Sequence, residues 1–203
     1  PVTAVVPYAI PNVLGAKTAN NRAVYANITT SDPTIRNAAT LKWVYHRVLA
    51  RRIQSGYAGT YVESGWIKDA ANGNYPHFYW TKRNLHDTPS EGFYDAVGSP
   101  VVGGSYDYQV QRTGAKTWGA YVGATRVANK WIGWDTMWEW ASGGEAPDTN
   151  QGMGDSNHNN VQILGTNGIW YSTCGYDVYN PNFNVWTLWG GSNCSSWRIF
   201  GNN

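Results

Sequence analysis

The chain has 203 residues, a net charge of +2 and only 14% charged residues, against about 25% in ordinary soluble domains. That length suits one domain able to bury most of its apolar surface. No clustered run of Lys or Arg supplies a nucleic-acid footprint, and no apolar stretch approaches the ~18 residues of a membrane span, so both partners are excluded.

The chain opens on Pro1 without an initiating Met or a charged-then-apolar leader, and so reads as a mature, secreted product whose signal has been removed. Over 33–54, Leu41, Val44, Tyr45, Val48, Leu49 and Ile53 recur at helical spacing. Asp32-Pro33 suits an N-cap and first helical position, and Arg51 and Arg52 suit a last turn. This predicts one short helix over 36–54, against the strand propensity of Trp43, Val44, Tyr45 and Val48.

From about residue 57 onward the pattern changes to short alternating or aromatic runs at 57–67, 75–82, 105–112, 117–124, 126–134, 160–165, 168–173 and 184–189. Turn signals punctuate them at Asn72-Gly73, Gly103-Gly104, Gly143-Gly144, Asn167-Gly168 and Gly190-Gly191. Many short strands so punctuated predict an all-β fold, an antiparallel β-sandwich with a concave cleft, spanning 1–203 as a single domain.

Two of the four glutamates stand in distinctive contexts. Glu63 lies in Y-V-E-S-G-W, a short alternating run ending in Trp66, and Glu145 follows Gly143-Gly144 in W-E-W-A-S-G-G-E-A-P. Two carboxylates brought together from distant segments are common equipment for acid–base hydrolysis. Each alone is equally an ordinary strand or turn glutamate. His46, His77, His86 and His158 have no H-x-x-x-H or H-E-x-x-H spacing, and Asp155-Ser156-Asn157-His158 lacks that of an EF-hand loop, so no metal is expected. No G-x-S-x-G elbow supports a serine nucleophile. Cys174 and Cys194 are expected to form a disulfide contributing about 3 kcal/mol.

The ordered motifs over about 57–180 resemble the neprosin family, secreted glutamic peptidases that cleave after proline. They are Glu63-Ser64-Gly65-Trp66-Ile67, then Phe78-Tyr79-Trp80-Thr81, then Trp118-Gly119-Ala120-Tyr121-Val122-Gly123, then Trp140-Ala141-Ser142-Gly143-Gly144-Glu145-Ala146, with Thr149 through Met153-Gly154. The resemblance implies that Glu63 and Glu145 are the catalytic pair, sharing a water at acid pH, with the acid and base roles open. It implies a Pro-containing peptide or protein substrate, no cofactor, and action as a monomer. Trp66, Tyr79, Trp80 and Trp140, the aromatics nearest the glutamates in sequence, are expected to wall the substrate cleft. The Gly143-Gly144 amides and the Gln151 side chain are candidate oxyanion donors. Two other readings are a jelly-roll glycoside hydrolase with two catalytic glutamates and a non-catalytic carbohydrate- or peptide-binding module.

Overall fold

Successive side chains of a strand point to opposite faces, and the computed structural model of the protein sorts the alternating runs into strands on that basis. It describes residues 12–15, 21–35, 43–52, 60–71, 73–83, 91–94, 98–146, 153–173, 177–179, 185–190 and 193–201, with the backbone alone described at 12–15, 91–94, 177–179, 185–190, 193, 194, 200 and 201. In chain order the strands are β1 (Asn12–Gly15), β2 (Ala23–Thr29), β3 (Trp43–Arg52), β4 (Thr60–Asp69), β5 (Pro76–Arg83), β6 (Glu91–Tyr94), β7 (Ser105–Gly114), β8 (Thr117–Val122), β9 (Thr125–Trp131), β10 (Glu139–Glu145), β11 (Ser156–Leu164), β12 (Trp170–Ser172), β13 (Asp177–Tyr179), β14 (Val185–Gly190) and β15 (Asn193–Gly201).

Two antiparallel sheets result. The first runs β13-β1-β10-β3-β4-β5-β6, and the second runs β14-β15-β11-β2-β7-β8-β9, with β12 paired to β11. The predicted all-β sandwich is the observed architecture. One hydrophobic cluster fills the space between the sheets: Val44, Val48, Ala50, Val62, Trp66, Phe78 and Trp80 from the first meet Val24, Ala26, Ile28, Tyr108, Val110, Trp118 and Ala120 from the second. Three polar groups buried there find partners. Ser64 Oγ donates to the Tyr121 carbonyl at 2.9 Å, Trp66 Nε1 to the Thr29 carbonyl at 3.2 Å, and Trp134 Nε1 to Thr60 Oγ1 at 2.5 Å.

The helix expected over 36–54 is not formed. Residues 43–52 are β3, and no described residue is helical; 36–42, 53 and 54 lie outside the described residues. The physical reason is the position of β3 between β10 and β4 in the sheet interior. On β3 the core parity carries Val44, Val48 and Ala50 and the outer parity carries Trp43, Tyr45 and the buried Leu49, so apolar residues occupy both parities and mask the two-residue period. Val44 and Val48 are four apart because both face the core, and this imitates one side of a helix. Gly143-Gly144, read as a turn, lies inside β10 instead. The other described turn signals hold: Gly73, Gly103 and Gly168 all have positive φ.

β3 and β4 approach so closely that Gly65 has no room for a side chain. A Cβ there would lie 2.0 Å from the His46 carbonyl oxygen and 2.8 Å from Arg47 Cα, both backbone atoms. Gly114, by contrast, would meet only Thr117 Cβ at 3.8 Å. Gly65→Ala is expected to cost about 3 kcal/mol, lowering Tm by about 6–12 °C, while Gly114→Ala changes it by little. Thermal unfolding followed by circular dichroism checks the contrast, and equal Tm values for the two variants would contradict it.

Candidate active site

The face of the first sheet turned away from the core carries a compact set of ionisable side chains. Register pairing sets them in three cross-strand rows. Glu145 of β10 is opposite Tyr45 of β3, and Tyr45 is opposite Ile67 of β4. In the next row Gly143, Arg47, Gly65 and Tyr79 follow one another across β10, β3, β4 and β5. The third row holds Ala141, Leu49, Glu63 and Thr81. Directly opposite residues share a face, so Glu63, Arg47, Tyr45, Tyr79 and Glu145 converge there. Arg47 stands between two glycines, which leaves its side chain space along the row.

Arg47 is what joins the two glutamates. Its Nε is 2.6 Å from Glu63 Oε2 and its Nη2 is 2.9 Å from Glu145 Oε2. The Tyr45 hydroxyl also donates to Glu145 Oε2, and the guanidinium carbon lies 4.6 Å from the Tyr45 ring centre. The Tyr79 ring is 5.5 Å from that of Tyr45. Tyr45 is partly exposed, whereas Tyr79 and the three charged groups are nearly out of water, with Arg47 at 4%, Glu63 at 6% and Glu145 at 8% exposure. A buried site with one cation accommodates one anion without excess charge. Burial pushes the Glu63 carboxyl up to about 7; the Arg47 charge opposes this, the Glu145 charge adds to it, and contacts with Arg47 and Tyr79 lower it in part. Glu145 keeps two donors, the set an ionised carboxylate accepts.

The opposite face of the same strands holds a buried polar chain directly behind the pair. His46 Nε2 lies 2.9 Å from the Met153 carbonyl, His46 Nδ1 lies 3.0 Å from His158 Nε2, and His158 Nδ1 lies 2.8 Å from Ser142 Oγ. A carbonyl only accepts, so His46 Nε2 carries the proton; His158 Nε2 then donates to His46 Nδ1, and Ser142 donates to His158 Nδ1. Every link is satisfied with both rings neutral. Burial pulls the His46 pKa down to about 4, with the Arg47 charge acting in the same direction and the Met153 carbonyl against it. Burial also holds His158 well below the ordinary histidine range, with His46 and Arg47 adding to the effect. The rings stack on Trp66 and Trp197. Gly144 makes room for this chain, since a Cβ there would lie 2.8 Å from His46 Cε1.

Of the residues expected at the site, Glu63, Glu145 and Tyr79 are brought together. Trp66, Trp80 and Trp140 are corrected: Trp66 and Trp140 have the opposite parity to the glutamate of their own strand, Trp80 has the opposite parity to Thr81, the partner of Glu63, and all three are packed in the core. Gly143 and Gly144 are likewise corrected as turn donors, because they are ladder residues paired with Arg47 and His46. Gln151 and Cys174 lie outside the described residues, as does the side chain of Cys194, so the disulfide is not described. Sequence reasoning missed Trp43, Tyr45 and Arg47. The signal was their own alternation, W-x-Y-x-R, hidden by the helical reading of the segment.

No protein-family model matches the sequence, and no curated protein matches it either. Solved structures do match the fold. Scytalido-glutamic peptidase, in a crystal structure with a transition state analog inhibitor, aligns with a TM-score of 0.67 at 8% identity over 98% of this chain and 100% of that one. SCP-B, a member of the eqolisin family of peptidases in a complex with the tripeptide Ala-Ile-His, aligns with a TM-score of 0.58 at 8% identity over 95% of this chain and 100% of its own. The chain therefore shares the β-sandwich fold of these eqolisin-type glutamic peptidases.

The raised Glu63 carboxyl has a signed effect on stability. Between the ordinary value of 4.5 and about 7 the folded protein binds more protons than the unfolded chain, so this group's contribution to stability falls as pH rises through that window. Glu63→Gln removes the effect. The Tm of this variant minus that of the wild type is expected to grow from about pH 4.5 to about pH 7 and then level off. Thermal melts across that range check it, and a difference that shrinks with pH would contradict the raised pKa.

Proposed function

We propose that the protein is a glutamic endopeptidase in which Glu63 is the general acid and Glu145 the general base. The observation that carries this reading is the single guanidinium of Arg47 holding two buried glutamates, one of them neutral up to about pH 7. Its fold, shared with glutamic peptidases, supports the same class of chemistry.

Water placed against Glu145 gives that carboxylate a proton as its oxygen attacks the scissile carbonyl carbon. The carbonyl π pair moves onto oxygen, and the tetrahedral intermediate forms. As that pair returns, the C–N bond breaks and the leaving nitrogen takes the proton held by Glu63. One water is consumed, one acid and one amine are released, and exchange with solvent restores a proton to Glu63 and removes one from Glu145. No covalent intermediate or cofactor is needed.

The narrower reading is a secreted, monomeric enzyme of the neprosin type cleaving after proline at acid pH. It rests on the ordered motifs around the two glutamates and on the charge-poor composition. With Trp66, Trp80 and Trp140 in the core, the flat walls for a pyrrolidine ring are Tyr79 and the stacked pair Trp43 and Tyr45, whose ring centres are 4.8 Å apart.

Glu63→Gln and Glu145→Gln are each expected to lower peptide hydrolysis by roughly 10²–10⁴-fold or more in folded protein. The assay is release of fragments from an unstructured Pro-rich protein, identified by mass. Wild-type activity in either variant would remove that glutamate from the mechanism, and fragments with no enrichment of proline on the acyl side would remove the prolyl preference. Hydrolysis of a β-glucan or xylan instead would favour the glycosidase.

On the alkaline side, kcat/KM is expected to fall to half near pH 7, where Glu63 of the free protein loses its proton. A pH–rate profile checks this, and full activity at pH 8 would contradict Glu63 as the acid.

A further inference from the structure

Hydrolysis of an amide places a full negative charge on the former carbonyl oxygen, and donors must already be aimed at it. Buried polar groups in a folded protein almost always have partners, so a buried donor without one calls for an explanation. The Tyr79 hydroxyl and Arg47 Nη1 are both buried and meet no hydrogen-bond partner. They belong to the same cross-strand row, separated only by Gly65, which puts no side chain between them. Arg47 Nη2 is hydrogen-bonded to Glu145, and Nε is ion-paired with Glu63 at 2.6 Å without meeting hydrogen-bonding geometry. The Tyr79 hydroxyl interacts with the Glu63 carboxyl in the resting site and helps to lower its pKa, but the contact is too poorly aligned to satisfy the hydroxyl at full hydrogen-bonding geometry. Of the two backbone amides expected to do this work, that of Gly143 does not fit it, because Gly143 is paired on both sides, to Asn12 and to Arg47.

We propose that the Tyr79 hydroxyl, beside Arg47 Nη1, donates to the oxyanion of the tetrahedral intermediate and is thus a catalytic residue of the peptidase reaction. The proposal rests on the peptidase reading above and adds a residue and role to it. The hydroxyl has no well-aligned acceptor in the resting site and gains one when the carbonyl oxygen becomes anionic. Such an interaction favours the transition state over the ground state, so its loss is read in kcat and not in KM.

The test is Tyr79→Phe, which keeps the ring against Tyr45 and removes one hydroxyl. The expected result is a fall in kcat of about 10²–10³-fold at unchanged KM. Affinity for a phosphinic peptide, an anionic tetrahedral mimic, should fall by the same factor, while affinity for the cleaved product peptide stays the same. Tm should stay the same or rise, since no well-aligned hydrogen bond is removed. Wild-type kcat and phosphinic affinity in the variant would overturn the proposal. So would equal losses for phosphinic and product peptides, which would mean ground-state binding alone. A shift of the alkaline limb of the pH profile with an undiminished plateau would assign Tyr79 to tuning Glu63 instead, and a lowered Tm would show a structural partner; either overturns it. Inactive Glu63→Gln and Glu145→Gln proteins beside a fully active Tyr79→Phe protein leave the peptidase reading standing without this donor. A wild-type protein that hydrolyses no peptide and binds no phosphinic peptide brings down both.

Discussion

A single guanidinium between two buried carboxyls is the constraint on which the site depends. Arg47 touches Glu63 through Nε and Glu145 through Nη2, and almost no solvent reaches the three groups. One cation balances one anion, and a second buried negative charge would be uncompensated. The proton needed for neutrality is taken up by Glu63, where burial and the Glu145 charge outweigh the attraction of Arg47. Glu145 keeps Arg47 and Tyr45 as donors. Two chemically identical side chains thereby acquire different environments, with an arginine between them.

Sheet register makes that arrangement possible. β3 lies between β10 and β4, so Arg47 has Gly143 on one side and Gly65 on the other, while the glutamates sit one row away in opposite directions along the strands. Side chains at either glycine would occupy the space along the row that the guanidinium uses. Gly65 is doubly constrained, because the β3 backbone leaves it no room for a Cβ. Across the sheet, the chain from Met153 through His46 and His158 to Ser142 ties β3, β10 and β11 together at the level of the site. A fully satisfied buried network of this kind holds its strands in one arrangement.

The two faces of the first sheet also respond to pH in opposite senses. His46, with a folded value near 4 against an ordinary 6.5, contributes stability that is present above 6.5 and is lost as pH falls toward 4, because the unfolded chain takes up the proton first. Glu63 opposes this over an overlapping window, since its folded value is raised. Buried groups of both kinds, on opposite faces of neighbouring strands, flatten each other's dependence across the mildly acid range.

The sandwich was legible in the chain because turn residues punctuate alternating runs, and that pattern is local: β4, β5, β7, β8, β9, β11, β12 and β14 all fall on runs read from sequence. Glu63 and Glu145 were legible as a pair through their motifs. What the sequence by itself determined was therefore the class of fold, the identity of the two carboxylates and the poverty of charge around them. The strand nature of 43–52 was not legible, because β3 carries apolar residues at both parities. Nor was the burial of Trp66, Trp80 and Trp140, since nearness in sequence to a glutamate says nothing about parity across a pleat. Only the tertiary structure decided that Arg47 stands between the glutamates and that Tyr45 and Tyr79 border them. These contacts join β3, β4, β5 and β10 through register, a relation between distant segments that no local pattern of residues encodes.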